Sequence, residues 1–186
     1  MKTAFVLHGV CDREEYFEMD FPSPSNAHWL PWLQQRFLRA GVLAQCLEMP
    51  VPYSPVYDDW VAVWERQNIR PDSVVVGHSA GCGFVLKWLA ANPDVRLGKL
   101  VLVAPWLDPA RKCGDFVQGE LDAGLVARVG ELHILASDDD MDSVQVSVAR
   151  LVAFYAGAII HRFEKHGHFC AGDIGVEFDA LWEVCR

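Results

Sequence analysis

The 186-residue chain contains no stretch approaching the ~20 uninterrupted apolar residues that cross a bilayer. Its six cysteines (Cys11, Cys46, Cys82, Cys113, Cys170 and Cys185) form no C-x-x-C pair, so neither a zinc site nor a disulfide framework is indicated. Internal repeats and low-complexity tracts are also missing. Positive charge is scarce, with 16 Lys and Arg against 25 Asp and Glu, a formal net charge of −9. A surface this acidic repels phosphate backbones and anionic lipid, which argues against nucleic-acid and membrane partners. The segment Met1 to Leu7 has one basic residue and a short apolar run ending at His8-Gly9, so it reads as a first strand rather than a signal peptide, and the expected location is cytoplasmic.

What is present suits one globular domain over residues 1–186. Apolar residues make up 52% and charged residues 22%. Short runs rich in β-branched residues alternate with helical patterns. The strands are expected at 3–8, 42–47, 73–77, 99–104, 131–136 and 159–163. Helices are expected at 28–40, 58–68, 80–92, 119–129, 143–156 and 175–185, with Asn26 as cap of the first and Gly41 at its C-terminal end. Most strand runs are continuously apolar, as in a parallel sheet buried on both faces. The pattern predicts a three-layer α/β fold with a mostly parallel sheet of about six strands, helices on both faces and no large cap domain. Two connections, 10–25 and 105–118, exceed ordinary βα loops, and both follow strands, where an open α/β sheet has its ligand crevice.

Residues 77–81 read Gly77-His78-Ser79-Ala80-Gly81. G-x-S-x-G alone is a modest signal. Here it is preceded by Ser73-Val74-Val75-Val76 and followed by Cys82 to Leu89 with apolar residues at helical spacing. Strand, sharp turn and helix are the setting of a nucleophile elbow, in which the hydroxyl stands exposed at the sheet edge. The following helix turns free N–H groups and its positive end toward developing negative charge. The first strand exits through His8-Gly9, so a backbone N–H of Val10 or Cys11, together with that of Ala80, would form an oxyanion hole.

In this architecture the acid and then the base follow the serine along the chain. Asp138, Asp139, Asp140 and Asp142 follow the fifth strand, and composition does not choose among them. After the sixth strand come His166 and His168. The Gly167-His168-Phe169 setting makes His168 the candidate base, with His166 its competitor. Their His-x-His spacing could ligate a metal, but no further ligand cluster has suitable spacing, so neither metal nor cofactor is expected.

The chain resembles the small serine-hydrolase family that includes the bacterial YdeN-like proteins and the retinoblastoma-binding serine hydrolase. The likeness covers most of the chain: His8-Gly9, Asn26-Ala27-His28-Trp29-Leu30-Pro31-Trp32-Leu33, Met49-Pro50 leading to Asp59-Trp60, the elbow, Ala136-Ser137 with its aspartates, and Gly167-His168-Phe169. The resemblance implies a compact α/β-hydrolase acting on small esters or amides, with Asp140 as acid (Asp139 next) and His168 as base. Two departures stand out. The 10–25 segment is longer than usual for the family and interleaves Asp12, Glu14, Glu15, Glu18 and Asp20 with Tyr16, Phe17 and Phe21, a composition suited to gating the site or docking a protein partner. Asp142-Ser143-Val144 replaces an apolar pair and a proline.

The expected chemistry is acyl transfer from a small-molecule substrate to water through an acyl-enzyme on Ser79. Trp106 and the aromatics of 10–25 are candidate wall residues, whereas Trp29 and Trp32 are expected in the core. Two rivals remain open: a protein-binding module on a hydrolase scaffold, and an acyltransferase.

Overall fold

The computed structural model describes residues 1–186. Six parallel strands form one sheet: β1 (Thr3–Leu7), β2 (Leu43–Leu47), β3 (Val74–His78), β4 (Leu97–Val103), β5 (Val129–Ser137) and β6 (Ile159–Phe163). Their spatial order is β2-β1-β3-β4-β5-β6. The central strands β1 and β3 are buried at every position, as their unbroken apolar runs require, while the edge strands β2 and β6 are only partly covered.

The longer helices are α2 (Leu30–Arg39), α3 (Tyr57–Trp64), α4 (Ala80–Ala91), α6 (Asp142–Phe154) and α8 (Asp179–Cys185). Short helical turns complete the set: α1 (Arg13–Tyr16), α5 (Leu125–Arg128) and α7 (Ala171–Ile174), with a 3₁₀ turn at Pro24–Asn26. Phe37 against Trp182 (ring centroids 5.4 Å apart) seats α2 beside α8. Trp60 against Phe84 (5.4 Å) and Trp64 against Trp88 (5.7 Å) seat α3 beside α4. Such edge-on aromatic pairs add to the burial of one continuous apolar core. None of the helices is long and apolar enough to cross a membrane.

Four sequence expectations need correction, the last helix among them, expected from residue 175 but starting at Asp179. Asn26 does not cap α2; it ends the 3₁₀ turn and donates to Ser23 Oγ at 2.8 Å, and Trp29 holds the cap position. The helix expected over 119–129 contracts to Leu125–Arg128, because Asp122 accepts the Gly124 N–H (2.7 Å) and the Arg128 guanidinium (2.6 Å), folding the preceding residues into a turn. The helix expected over 58–68 ends at Trp64. Gly41, at φ +78°, does close α2 in the left-handed conformation that glycine tolerates.

Candidate active site

Strand register decides what meets at the carboxyl edge of the sheet. Leu7 pairs with Gly77 across β1 and β3, so the chain two residues on brings Gly9 against Ser79. A β-carbon on Gly9 would lie 2.8 Å from Ser79 Cβ and 3.2 Å from its Oγ. One on Gly81 would lie 2.5 Å from the His8 carbonyl oxygen. Both positions therefore admit only glycine, for reasons of close approach. Between them Ser79 sits at φ 54°, ψ −122°, a conformation that costs a non-glycine residue on the order of 1–3 kcal/mol. Strain of this kind recurs around the same edge, with His28, Ala104, Lys165 and Phe169 also at positive φ.

The expected acid and base meet. Ser137 pairs with Phe163 across β5 and β6, and the loops beyond them carry Asp140 and His168. The His168 ring donates from Nδ1 to Asp140 Oδ1 at 2.9 Å and Oδ2 at 3.1 Å. A carboxylate only accepts, so the Nδ1–H tautomer is fixed and Nε2 is left with a free lone pair. The Asp140 side chain is 1% exposed and also accepts the Met141 N–H at 2.7 Å. Ser79 and the His168 ring are not hydrogen-bonded to each other in this structure; such bonds commonly tighten only when substrate is present.

The remaining aspartates divide the work of holding that loop. Asp138 accepts the Lys165 N–H at 2.8 Å, and Asp139 accepts the Gly167 N–H at 2.8 Å and the Ser137 hydroxyl at 2.6 Å. The Ser137 hydroxyl hydrogen bond and the Gly167 amide hold the Asp139 carboxyl below its ordinary range. Asp142 opens α6. His166 turns away, with Nδ1 donating to the Glu164 carbonyl (2.8 Å) and its ring against Phe163.

Four residues without any local sequence signal complete the clamp. Asp173 accepts the N–H groups of His168 and Cys170, each at 3.0 Å. Trp29, expected in the core, is fully buried and donates Nε1–H to the Phe169 carbonyl at 3.0 Å. His28 accepts the Ala171 N–H at 3.1 Å. His78, the variable residue of the elbow, donates Nε2–H to the His168 carbonyl at 2.8 Å, its ring 5.0 Å from that of His168. Burial drives the His78 pKa well below its ordinary value, so it stays neutral beside His168.

On the other flank, Ala80 is the first residue of α4, where the helix has no internal acceptor for its N–H. Val10 and Cys11 leave β1 half-buried. All six cysteines are unpaired, and burial holds the Cys11 thiol at about 11 and the Cys170 thiol at about 12, so neither is a thiolate nucleophile near neutral pH. Glu15 on α1 pushes both thiols further up. Tyr16 and Phe17 pack on Tyr53 at 5.0 and 5.5 Å, while Met19 is fully exposed. A cavity of about 450 Å³ lies elsewhere, between residues 65–71 and 94–96 at the amino ends of β3 and β4.

A family model for serine hydrolases matches residues 21–178. The chain belongs to the serine hydrolase family. It is 27% identical over 190 residues to YdeN of Bacillus subtilis (strain 168), covering 98% of this chain and 94% of that protein. The crystal structure of the B. subtilis ydeN gene product superposes with a TM-score of 0.81 at 25% identity, over 99% and 96% of the two chains. The fold alone is shared with Est1E of Butyrivibrio proteoclasticus, a structure with ferulic acid bound (TM-score 0.58, 15% identity, 100% of this chain and 90% of that chain). This serine hydrolase therefore has the α/β-hydrolase fold, without a large cap.

Proposed function

We propose that the protein cleaves small carboxylic esters, or the related amides and thioesters, through an acyl-enzyme on Ser79. The observation that carries this reading is a strained serine whose preceding residue, His78, bonds the backbone of a histidine whose tautomer a buried carboxylate fixes. Ser79 Oγ attacks the carbonyl carbon as His168 Nε2 takes its proton. Asp140 stabilises the imidazolium without taking the proton itself. The N–H groups of Ala80 and of Val10 or Cys11 hold the oxyanion, each such donor contributing ~2.7–4 kcal/mol. The imidazolium then protonates the leaving alkoxide, and a water activated by the same Nε2 releases the acid. The lack of a large cap favours small or extended acyl groups, with Trp106 and the aromatics of 10–25 as walls.

The deciding experiment is labelling with a fluorophosphonate probe alongside turnover of p-nitrophenyl esters of two to twelve carbons. Labelling of the wild type but not of Ser79→Ala is expected. A wild type that neither labels nor hydrolyses any ester would instead support a protein-binding role for the 10–25 segment.

A further inference from the structure

We propose that His8 is a positioning residue that aims the Val10 N–H at the oxyanion. The inference rests on the reading of Ser79 as nucleophile and selects between the two first-strand donors. His8 is 3% exposed, and both ring nitrogens are engaged. Nε2 lies 2.9 Å from the Met49 N and accepts its hydrogen. That leaves the proton on Nδ1, which donates to the Gly9 carbonyl at 2.7 Å. Trp60 meets the ring edge-on, with centroids 5.5 Å apart, and Glu48 Oε1 stands 3.9 Å from Nε2. Burial lowers the pKa of the ring, which keeps it neutral and keeps the Nε2 lone pair available to Met49.

The Gly9 carbonyl and the Val10 N–H belong to one peptide group, and the chain has no cis peptide, so the two point in opposite directions. Sheet order supplies the sense. β1 lies between β2 and β3, so Met49 beyond β2 is on one flank of the β1 exit and Ser79 beyond β3 is on the other. His8, bonded to Met49, draws the carbonyl toward the β2 flank. The N–H on the same peptide is thereby turned to the β3 flank, where a β-carbon on Gly9 would meet Ser79. No side chain fixes the next peptide, which carries the Cys11 N–H, in this way. An oxyanion donor works by being aimed before charge develops, so a free-swinging Gly9-Val10 peptide would lose much of its effect.

The test compares His8→Phe, which keeps the ring's bulk and removes both polar atoms, with His8→Asn, which returns a short donor near the Nδ1 position. Each is assayed on a p-nitrophenyl ester and on the thiono ester, whose thiocarbonyl accepts hydrogen bonds poorly. For folded His8→Phe, verified by its thermal transition, kcat is expected to fall about 10- to 100-fold with KM within threefold, and the ester-to-thiono-ester ratio of kcat/KM is expected to fall at least tenfold. His8→Asn is expected to restore much of both. Activity within threefold of wild type, or a loss that leaves the ester-to-thiono-ester ratio unchanged, would overturn the proposal. If His8→Phe does not fold, the same ratio is read from His8→Asn against His8→Gln, and equal ratios in the two would overturn it. Wild-type labelling at Ser79 is the separate check on the hydrolase reading itself.

Discussion

At the scale of single residues, chemistry divides the acidic turn after β5 sharply. Asp140 is sealed and faces the imidazole, whereas Asp139 is exposed and holds backbone. Asp140→Asn would offer the ring an amide in place of a carboxylate, favouring the wrong tautomer, and kcat is expected to drop ~10⁴-fold. Asp139→Asn should cost less than a hundredfold, since an amide oxygen can still accept from Gly167. Steady-state rates of the two variants check this, and equal losses would mean the acid is misassigned. By the same geometry His166→Ala should change kcat less than tenfold while His168→Ala abolishes turnover. Ser79, His168 and the aspartate cluster stood out as candidates before the fold, from the elbow motif and the order of the strand ends along the chain, whereas Asp140 within that cluster was singled out only by the family resemblance. His78 and Trp29 were not. Their partners in the base loop are 90 and 140 residues away, and nothing near either residue encodes such a contact.

Among the elements, strand positions were readable to within two residues because apolar runs bounded by turn residues leave little freedom. Helix ends were less so. Asp122 folds what looked like helical sequence into a turn, a competition between side chain and backbone that composition does not reveal. The 10–25 segment read as irregular, yet Tyr16, Phe17 and Tyr53 tie its α1 turn to the body of the protein. The junction of β1 with α4 has no slack. Gly81→Ala would drive a methyl into the His8 carbonyl, at 2.5 Å, and against Leu7 O, at 3.0 Å, both rigid backbone. The expected cost is about 3 kcal/mol, the upper part of the range for overpacking, seen as a lower denaturant midpoint at unchanged m-value. Asp173→Ala acts on the base loop instead. It strips the acceptor from His168 and Cys170 N–H, and should lower kcat about 10- to 100-fold while amide exchange of residues 168–170 accelerates.

For the molecule as a whole, charge governs both approach and stability. The net charge of −9 is reinforced at the exit of β1 by Asp12, Glu15 and Glu48, the carboxylates that add to burial in raising the Cys11 thiol. Esters bearing a cationic group are therefore expected to show kcat/KM several-fold above anionic isosteres at low ionic strength, with the gap closing in 0.5 M salt as the Debye length falls toward ~4 Å. Protonation sets the second limit. His8 and His78 are buried neutral, and burial lowers each pKa from the ordinary 6.5. Below that value the unfolded chain takes up protons that the native state refuses, so stability is full above pH ~6.5 and declines as pH falls toward the native pKa values. Each such histidine contributes up to about 1.4 kcal/mol per pH unit across that window. The carboxylates act later. Asp122 and Glu131, lowered by hydrogen bonds from Arg128 and Lys99, keep their contribution until the pH drops below their ordinary values of 3.8 and 4.5. Thermal unfolding followed between roughly pH 8 and pH 4 should thus show a first decline beginning near neutrality, well before any carboxylate titrates. His78→Phe, though less stable at pH 8 for want of its bond to the His168 carbonyl, should show a shallower first decline than wild type. A melting temperature flat from pH 7 to pH 5 would mean that these rings take up protons in the native state and are not sealed from solvent.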